Sequence, residues 1–155
     1  MLFLISFVFI LIVLTPCLVF LTTTNKKPRT VLSLTTIPSR CNQLHLDQFK
    51  NMPFDQIYLH LPQKSTVRFK NERYPTIKTP SYITVNRNCT DVGPLTKLYP
   101  TLLLEKDPNT IIITADDDIL YPPNYYDELI KKSIQHPNKA FGYRGIVINN
   151  DDGSP

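Results

Sequence analysis

An α/β fold with a doubly wound, mostly parallel sheet, preceded by one N-terminal transmembrane helix, is what this sequence predicts. Three observations carry that expectation: an uncharged apolar run at the start, short β-branched segments alternating with helix-like ones after it, and an apolar strand that ends on consecutive aspartates. With 155 residues, 42% hydrophobic and 19% charged, the chain has material for one packed core and too little charge for a disordered tail. Its 17 basic residues against 13 acidic give a net charge of +4. They are scattered rather than gathered in a run or a helical stripe, which argues against a nucleic-acid partner. The cysteines at 17, 41 and 89 have no Cys-x-x-Cys or Cys/His spacing, so neither a disulfide scaffold nor a zinc site is expected. No internal period suggests tandem repeats.

From Leu2 to Leu21 the chain reads LFLISFVFILIVLTPCLVFL without a charge. That is about the length a helix needs to cross roughly 30 Å of hydrocarbon. A cleaved signal peptide is the alternative, but no Lys or Arg precedes the run and no small-x-small cleavage site follows it, so an anchor is preferred. The division expected is an anchor over residues 1–24, a linker over 25–30 and a globular domain over 31–155. Lys26, Lys27 and Arg29 follow the span, which by the positive-inside rule leaves the domain in the cytosol. The sequon Asn88-Cys89-Thr90 matters only if the domain faces a lumen, so the two signals disagree.

The domain's elements follow in order. RTVLSLTT at 29–36 is a strand, Ile37-Pro38-Ser39 a turn, and Asn42 to Lys50 a short helix. QIYLHL at 56–61 and SYITVN at 81–86 are two further strands, with 63–80 left as loop. PLTKLYPTLLLEK at 94–106 predicts a helix with Leu95, Leu98, Leu102 and Leu103 on one face, and Pro100 kinks or restarts it. NTIIITA at 109–115 reads as a strand covered on both faces, the most buried of the set. Tyr125 to His136 is an amphipathic helix, and Ala140 to Ile148 supplies a last strand.

Ligands of such sheets bind beyond the carboxyl ends of the strands. Asp116, Asp117 and Asp118 stand there, directly after the apolar run. In extended chain the side chains at 116 and 118 share a side. Like charges so close resist joint ionisation unless a cation offsets them, and Mg²⁺ or Mn²⁺ suits a pair of carboxylates. The competing reading is that these aspartates solvate a turn or favour the start of the next helix. Asp91-Val92-Gly93-Pro94-Leu95-Thr96-Lys97 combines a glycine, a helix start and a cation, which would welcome phosphate. A capped helix with a solvated lysine explains it equally well. Thr35-Thr36-Ile37-Pro38-Ser39-Arg40 ends the first strand with hydroxyls and a guanidinium able to bridge phosphates, although a surface arginine is the commoner fate.

Together SLTTIPSR at 33–40, IYLHLP at 57–62, GPLTKLYP at 93–100 and IIITADDDILYP at 111–122 resemble a GT-A type nucleotide-diphospho-sugar glycosyltransferase. The kind resembled is family-2-like, found in polysaccharide and glycoprotein glycan assembly, with a Rossmann-like sheet. The resemblance spans about Arg29 to Gly145. It implies transfer of a sugar from a nucleotide-diphosphate donor to a glycan, lipid or protein acceptor, dependent on Mn²⁺ or Mg²⁺, and it favours a lumenal domain of the Golgi or ER type. Thr35, Thr36 and Arg40 are implied at the nucleotide, Gly93 and Lys97 at the wall of the donor pocket, Asp116 at ribose or donor sugar, and Asp118 at the metal. Asp117 assists either. Asp116, Asp118 and Lys97 are thereby the implied catalytic set, offsetting charge on the departing nucleoside diphosphate.

Domains of this kind continue past the point where this chain stops, to build the acceptor site and, in inverting members, a catalytic base. Asp151 and Asp152 are the candidates for that base here, against a flexible acidic terminus. A membrane-anchored module that binds a nucleotide sugar or a partner without transferring is the alternative function. A metal-dependent phosphoryl-transfer or nuclease enzyme is disfavoured for want of further acidic or histidine ligands. His60 is expected to pack in its strand, and His45 and His136 to lie on helix surfaces. Cys41 and Cys89 border carboxyl-edge loops and are expected to be free.

Overall fold

Alternating aliphatic and hydroxyl residues build the central strand of the computed structural model, which describes residues 27–69 and 71–143. The strands are β1 (Thr30–Thr35), β2 (Gln56–His60), β3 (Ile83–Asn86) and β4 (Ile111–Ala115), hydrogen-bonded in the order β3-β2-β1-β4 as a 4-stranded sheet. Every pairing is parallel, so the α/β expectation holds. The chain steps outward from β1 to β2 to β3, then returns to place β4 on β1's other side. The order therefore reverses between β1 and β4, the position where the loops at the carboxyl ends part and leave a crevice.

The register sorts the sheet into two unlike faces. Leu32 lies beside Ile57 and Ile113, with Ile83 next to Ile57. Leu34 lies beside Leu59 and Ala115, with Val85 next to Leu59. These rows form the apolar core with Cys41, Leu46, Phe49, Tyr125, Tyr126 and Ile130. Each fully buried leucine here contributes roughly 1.5–3 kcal/mol relative to exposure. On the other face the rows are polar: Ser33 beside Tyr58 and Thr114, and Thr35 beside His60, with Asn86 next to His60.

That polar face is closed by a 3-10 helix (Gly93–Lys97) and helix α1 (Tyr99–Leu104). Buried polar groups must be paired, and here they form one relay. Asn86 Nδ2 donates to His60 Nδ1 (3.1 Å), His60 Nε2 to Thr101 Oγ1 (2.7 Å), Thr101 Oγ1 to Ser33 Oγ (2.6 Å), and Ser33 Oγ to the Lys97 carbonyl. This direction satisfies all the bonds at once, because Ser33 and Thr101 each have one proton to give. It requires a neutral His60 protonated at Nε2. Burial agrees, lowering the His60 pKa from 6.5 to about 4.

Several elements differ from the sequence expectation. The helix expected over 42–50 is only a 3-10 turn at Leu46–Phe49, and a similar turn spans Pro38–Arg40. Pro100 does restart the 94–106 segment, at the head of α1. Its inward residues are Thr96, Pro100 and Thr101, however, while Leu95, Leu102 and Leu103 are exposed. The polar row of the sheet selects threonine rather than leucine as its partner. β4 is not the innermost strand: β1 is, and β4 forms the sheet edge among the described residues, with Ile111 and Ile112 half-buried. Helix α2 (Tyr125–Gln135) covers the apolar face as expected, through Tyr125, Tyr126 and Ile130. His45 and His136 are exposed at helix ends. Residues 140–143 are not strand, and the rest of the strand expected over 140–148 lies outside the described residues, as do the expected anchor over 1–24 and Asp151 and Asp152. No helix among the described residues is long and apolar enough to cross a membrane. β1 begins at Thr30, so the last residue assigned to the linker is already strand.

Folded His60 takes its proton only near pH 4, whereas an unfolded chain takes it near 6.5. The unfolded state thus binds more protons between those values, and stability is full above 6.5 and falls as pH drops toward 4. Urea unfolding should show a loss of about 3 kcal/mol from this group across that window. His60→Gln, less stable at neutral pH, should give a flatter profile; identical slopes would show that the relay does not hold the ring neutral.

Candidate functional site

The carboxyl ends of β1 and β4 bring together groups that are about 80 residues apart in the chain. Asp116–Asp118 leave the end of β4 and enter a turn rather than staying extended. Asp117 points inward and is buried, and the Asp116 and Asp118 side chains stay 47% and 55% exposed. The extended conformation expected for the triplet is therefore not kept, and burial singles out Asp117.

Each carboxylate has a partner from another loop. Thr36 Oγ1 donates to Asp117 Oδ2 at 2.5 Å, and Arg40 Nη2 lies 3.2 Å from Asp117 Oδ1. Arg40 Nη1 pairs with Asp118 Oδ2, and Lys97 Nζ pairs with Asp116 Oδ1. One guanidinium thus bridges neighbouring aspartates with its planar fork, and the lysine takes the remaining one. Arg40 Nε is buried without a hydrogen-bond partner. The position of Arg40 follows from the Pro38–Arg40 turn, which reverses the chain directly after β1. Lys97 is set by the relay, whose last bond is to its own carbonyl.

Sequence reasoning missed the residues that shape the acidic loop. Gln48, from the Leu46–Phe49 turn, accepts from Tyr121 N (2.9 Å) through Oε1 and donates to the Ile119 carbonyl (3.0 Å) through Nε2. The Tyr121 hydroxyl accepts from Asp116 N at 2.7 Å. Its ring lies 4.2 Å from that of Tyr125 and 6.0 Å from that of Phe49, centroid to centroid. Burial raises the Tyr121 pKa, so the hydroxyl stays protonated. A glutamine about 70 residues before the acidic loop carries no signal in the sequence that it closes that loop.

Asp91 proves to be an organiser of backbone. Its carboxylate accepts from the amides of Thr66 (2.5 Å), Val67 (3.1 Å) and Gly93 (2.9 Å) and from Ser65 Oγ (3.0 Å). Burial pushes its pKa up, but these donors outweigh it and leave it below the usual value. Gly93 has φ +64, and an added Cβ would stand 3.4 Å from Val67 Cγ1. Left-handed backbone alone accounts for glycine there. The amides of Val92 and Gly93, expected to be open to phosphate, are bonded to Thr96 Oγ1 and Asp91. Both hydroxyl protons of the β1 loop are likewise used inside the fold, Thr36 on Asp117 and Thr35 on the His60 carbonyl (2.8 Å). Tyr74, whose pKa burial pushes up to about 12, holds the Thr36 carbonyl at 3.1 Å. Thr35, Thr36, Arg40, Lys97 and the aspartates thus gather at one crevice, and Gly93 supports Lys97 from the far end of its helix.

Among the described residues no cluster of three His, Cys, Asp or Glu side chains is arranged to hold a metal ion. The donor set still suits one kind of ion. Asp116 Oδ2 and Asp118 Oδ1 make no hydrogen bond among the described residues, and both side chains reach solvent. Hard oxygen donors of this number fit Mg²⁺ or Mn²⁺, which take one or two protein carboxylates and fill the remaining positions with phosphate and water. Cys41 and Cys89 are free thiols, and burial raises both pKa values, that of Cys89 to about 11, which leaves neither reactive. Asn88 is exposed in the loop after β3. An open groove of about 1520 Å³ runs along the outer edge of β4 and meets the acidic loop at Asp116 and Tyr121. No protein-family model, curated protein or solved structure matches this chain.

The two kinds of aspartate should separate in unfolding experiments. Asp117→Ala removes the partner of buried Thr36 and half the partnership of Arg40, and should cost about 1–3 kcal/mol. Asp118→Ala, at an exposed ion pair, should cost less than about 1 kcal/mol. Equal losses would mean that burial does not distinguish them.

Proposed function

We propose that this protein is a GT-A type glycosyltransferase, using Mn²⁺ or Mg²⁺ and a nucleotide-diphospho-sugar donor. The observation that carries the reading is the convergence of the β4 aspartates with Arg40 and Lys97 at the point where the strand order reverses. The finer fold, a doubly wound Rossmann-like sheet, belongs to the same proposal. In this reading Asp116 and Asp118 would hold the ion, and Asp117, buried on Thr36 and Arg40, keeps the loop in shape.

The bound ion supplies charge stabilisation for a diphosphate leaving group. The chain's own residues do the rest. Arg40 and Lys97 offset the charge of the acidic triplet while no donor is bound. When a diphosphate arrives, these cations can turn to its oxygens with short movements, because both are already at the crevice and are one-third exposed or less. Thr36 and Tyr121 hold the aspartates still meanwhile, so the charges are preorganised rather than gathered during the reaction. The acceptor is a glycan or glycoconjugate. The apolar run at 2–21 supports a single-pass anchor, and exposed Asn88 supports a lumenal domain, whereas the basic flank supports the cytosol.

Titration with UDP- and GDP-sugars in the presence of Mn²⁺ should raise the melting temperature, since a ligand of the native state stabilises it. Asp116→Ala and Asp118→Ala should each abolish that rise while remaining folded. Lys97→Ala should lower transfer about 100-fold. Uptake of donor without transfer to any acceptor would identify a binding module instead, and uptake of neither ion nor donor would remove the proposal.

A further inference from the structure

We propose that the exposed leucine face of α1 is a membrane-docking surface, seated on the bilayer that holds the N-terminal apolar run. The proposal rests on reading residues 2–21 as an anchor, and adds to it a second contact made by the folded domain. Helix α1 turns its small and polar residues inward, and its outward side carries Tyr99, Leu102, Leu103 and Leu104, continued by Leu95 of the preceding turn. These are 47–62% exposed. Single exposed leucines are ordinary, but a contiguous set marks a surface that meets something apolar.

The place of this set in the fold says what it meets. α1 runs antiparallel to the strands: Lys97, before it, reaches Asp116 at the carboxyl edge, and Glu105, after it, reaches Arg29 at the amino edge. The Arg29–Glu105 pair is bidentate, with contacts of 2.9 and 3.1 Å. The chain therefore enters the domain next to Leu104. Between the apolar run and Arg29 lie residues 22–28, which reach at most about 25 Å even when fully extended. The leucines are thus tethered close to the bilayer surface, whichever side of the membrane the domain occupies. Glu105 at this corner is already neutralised by Arg29. A tyrosine beside leucines suits the headgroup level. Docking by the Leu102–Leu104 end of the face, nearest Arg29, leaves the acidic crevice toward the opposite ends of the strands, roughly 17 Å away along β1, where a water-soluble donor has access.

The chain contains no tryptophan, so one introduced tryptophan is a unique reporter. Leu103→Trp places it on the docking face, and Leu120→Trp places it in the exposed loop at the carboxyl edge. Each full-length variant is reconstituted into phosphatidylcholine–phosphatidylserine vesicles, recovered by flotation, and compared with the same vesicles made from brominated lipid. Both should float. Emission from Leu103→Trp should be blue-shifted and quenched about twofold, as for an interfacial side chain, with Leu120→Trp nearly unaffected. Equal quenching at the two positions in floated protein overturns the proposal. Shielding of the Leu103→Trp reporter from aqueous acrylamide without lipid quenching, growing with protein concentration, also overturns it in favour of a second copy of the chain. Failure to float removes the anchor and the docking surface together, and leaves the Mn²⁺ and nucleotide-sugar measurements to decide the donor site separately.

Discussion

Three adjacent carboxylates at the end of one strand repel one another unless positive charge and donors are brought to them, and this constraint organises the carboxyl edge of the domain. Arg40 and Lys97 supply the charge from the segments that follow β1 and β3, and Thr36 donates a hydrogen bond to the buried member. Satisfying the aspartates therefore draws distant parts of the chain to one crevice. Under the proposed function, the cluster would exchange these internal cations for an external one. A divalent ion with a diphosphate would offer the same compensation in exchanged form, with the ion on the aspartates and the basic side chains on phosphate.

The exactness of that arrangement depends on the sheet beneath it. With parallel register, one face collects Leu32, Leu34, Ile57, Leu59 and Ile113 and forms the core, and the other collects Ser33, Thr35, His60 and Asn86. A polar sheet face can be buried only if its groups find partners, and the relay from Asn86 through His60, Thr101 and Ser33 does this. Its last bond holds the carbonyl of the very lysine that faces Asp116. Core geometry and site geometry are thus connected by one chain of hydrogen bonds. The same polar face explains the leucines on the outside of α1: threonine is needed beneath, so the apolar residues are left above.

On the opposite side of the crevice, aromatic packing takes the place of the relay. Phe49, Tyr121 and Tyr125 form a ladder under the acidic loop, and Gln48 clips that loop at Ile119 and Tyr121. Asp116 is held by its amide on the Tyr121 hydroxyl and by its carboxylate on Lys97.

Local chemistry fixed much of this in advance. Short β-branched segments read correctly as β1 to β4, Pro100 read correctly as a restart, and aspartates behind an apolar strand marked the crevice, because each of these depends on residues within a few positions of one another. Only the tertiary structure decided which strand lies innermost, which side of α1 faces inward, and where Arg40, Lys97, Gln48 and Asp91 direct their side chains. A run such as Ile111–Ala115 looks alike at the centre or the edge of a sheet, and periodicity cannot reveal that the row it must match is polar. Partner choice across 70 or 80 residues is set by register and by the need to pair every buried charge and hydroxyl, and neither of these is written in any local stretch of the chain.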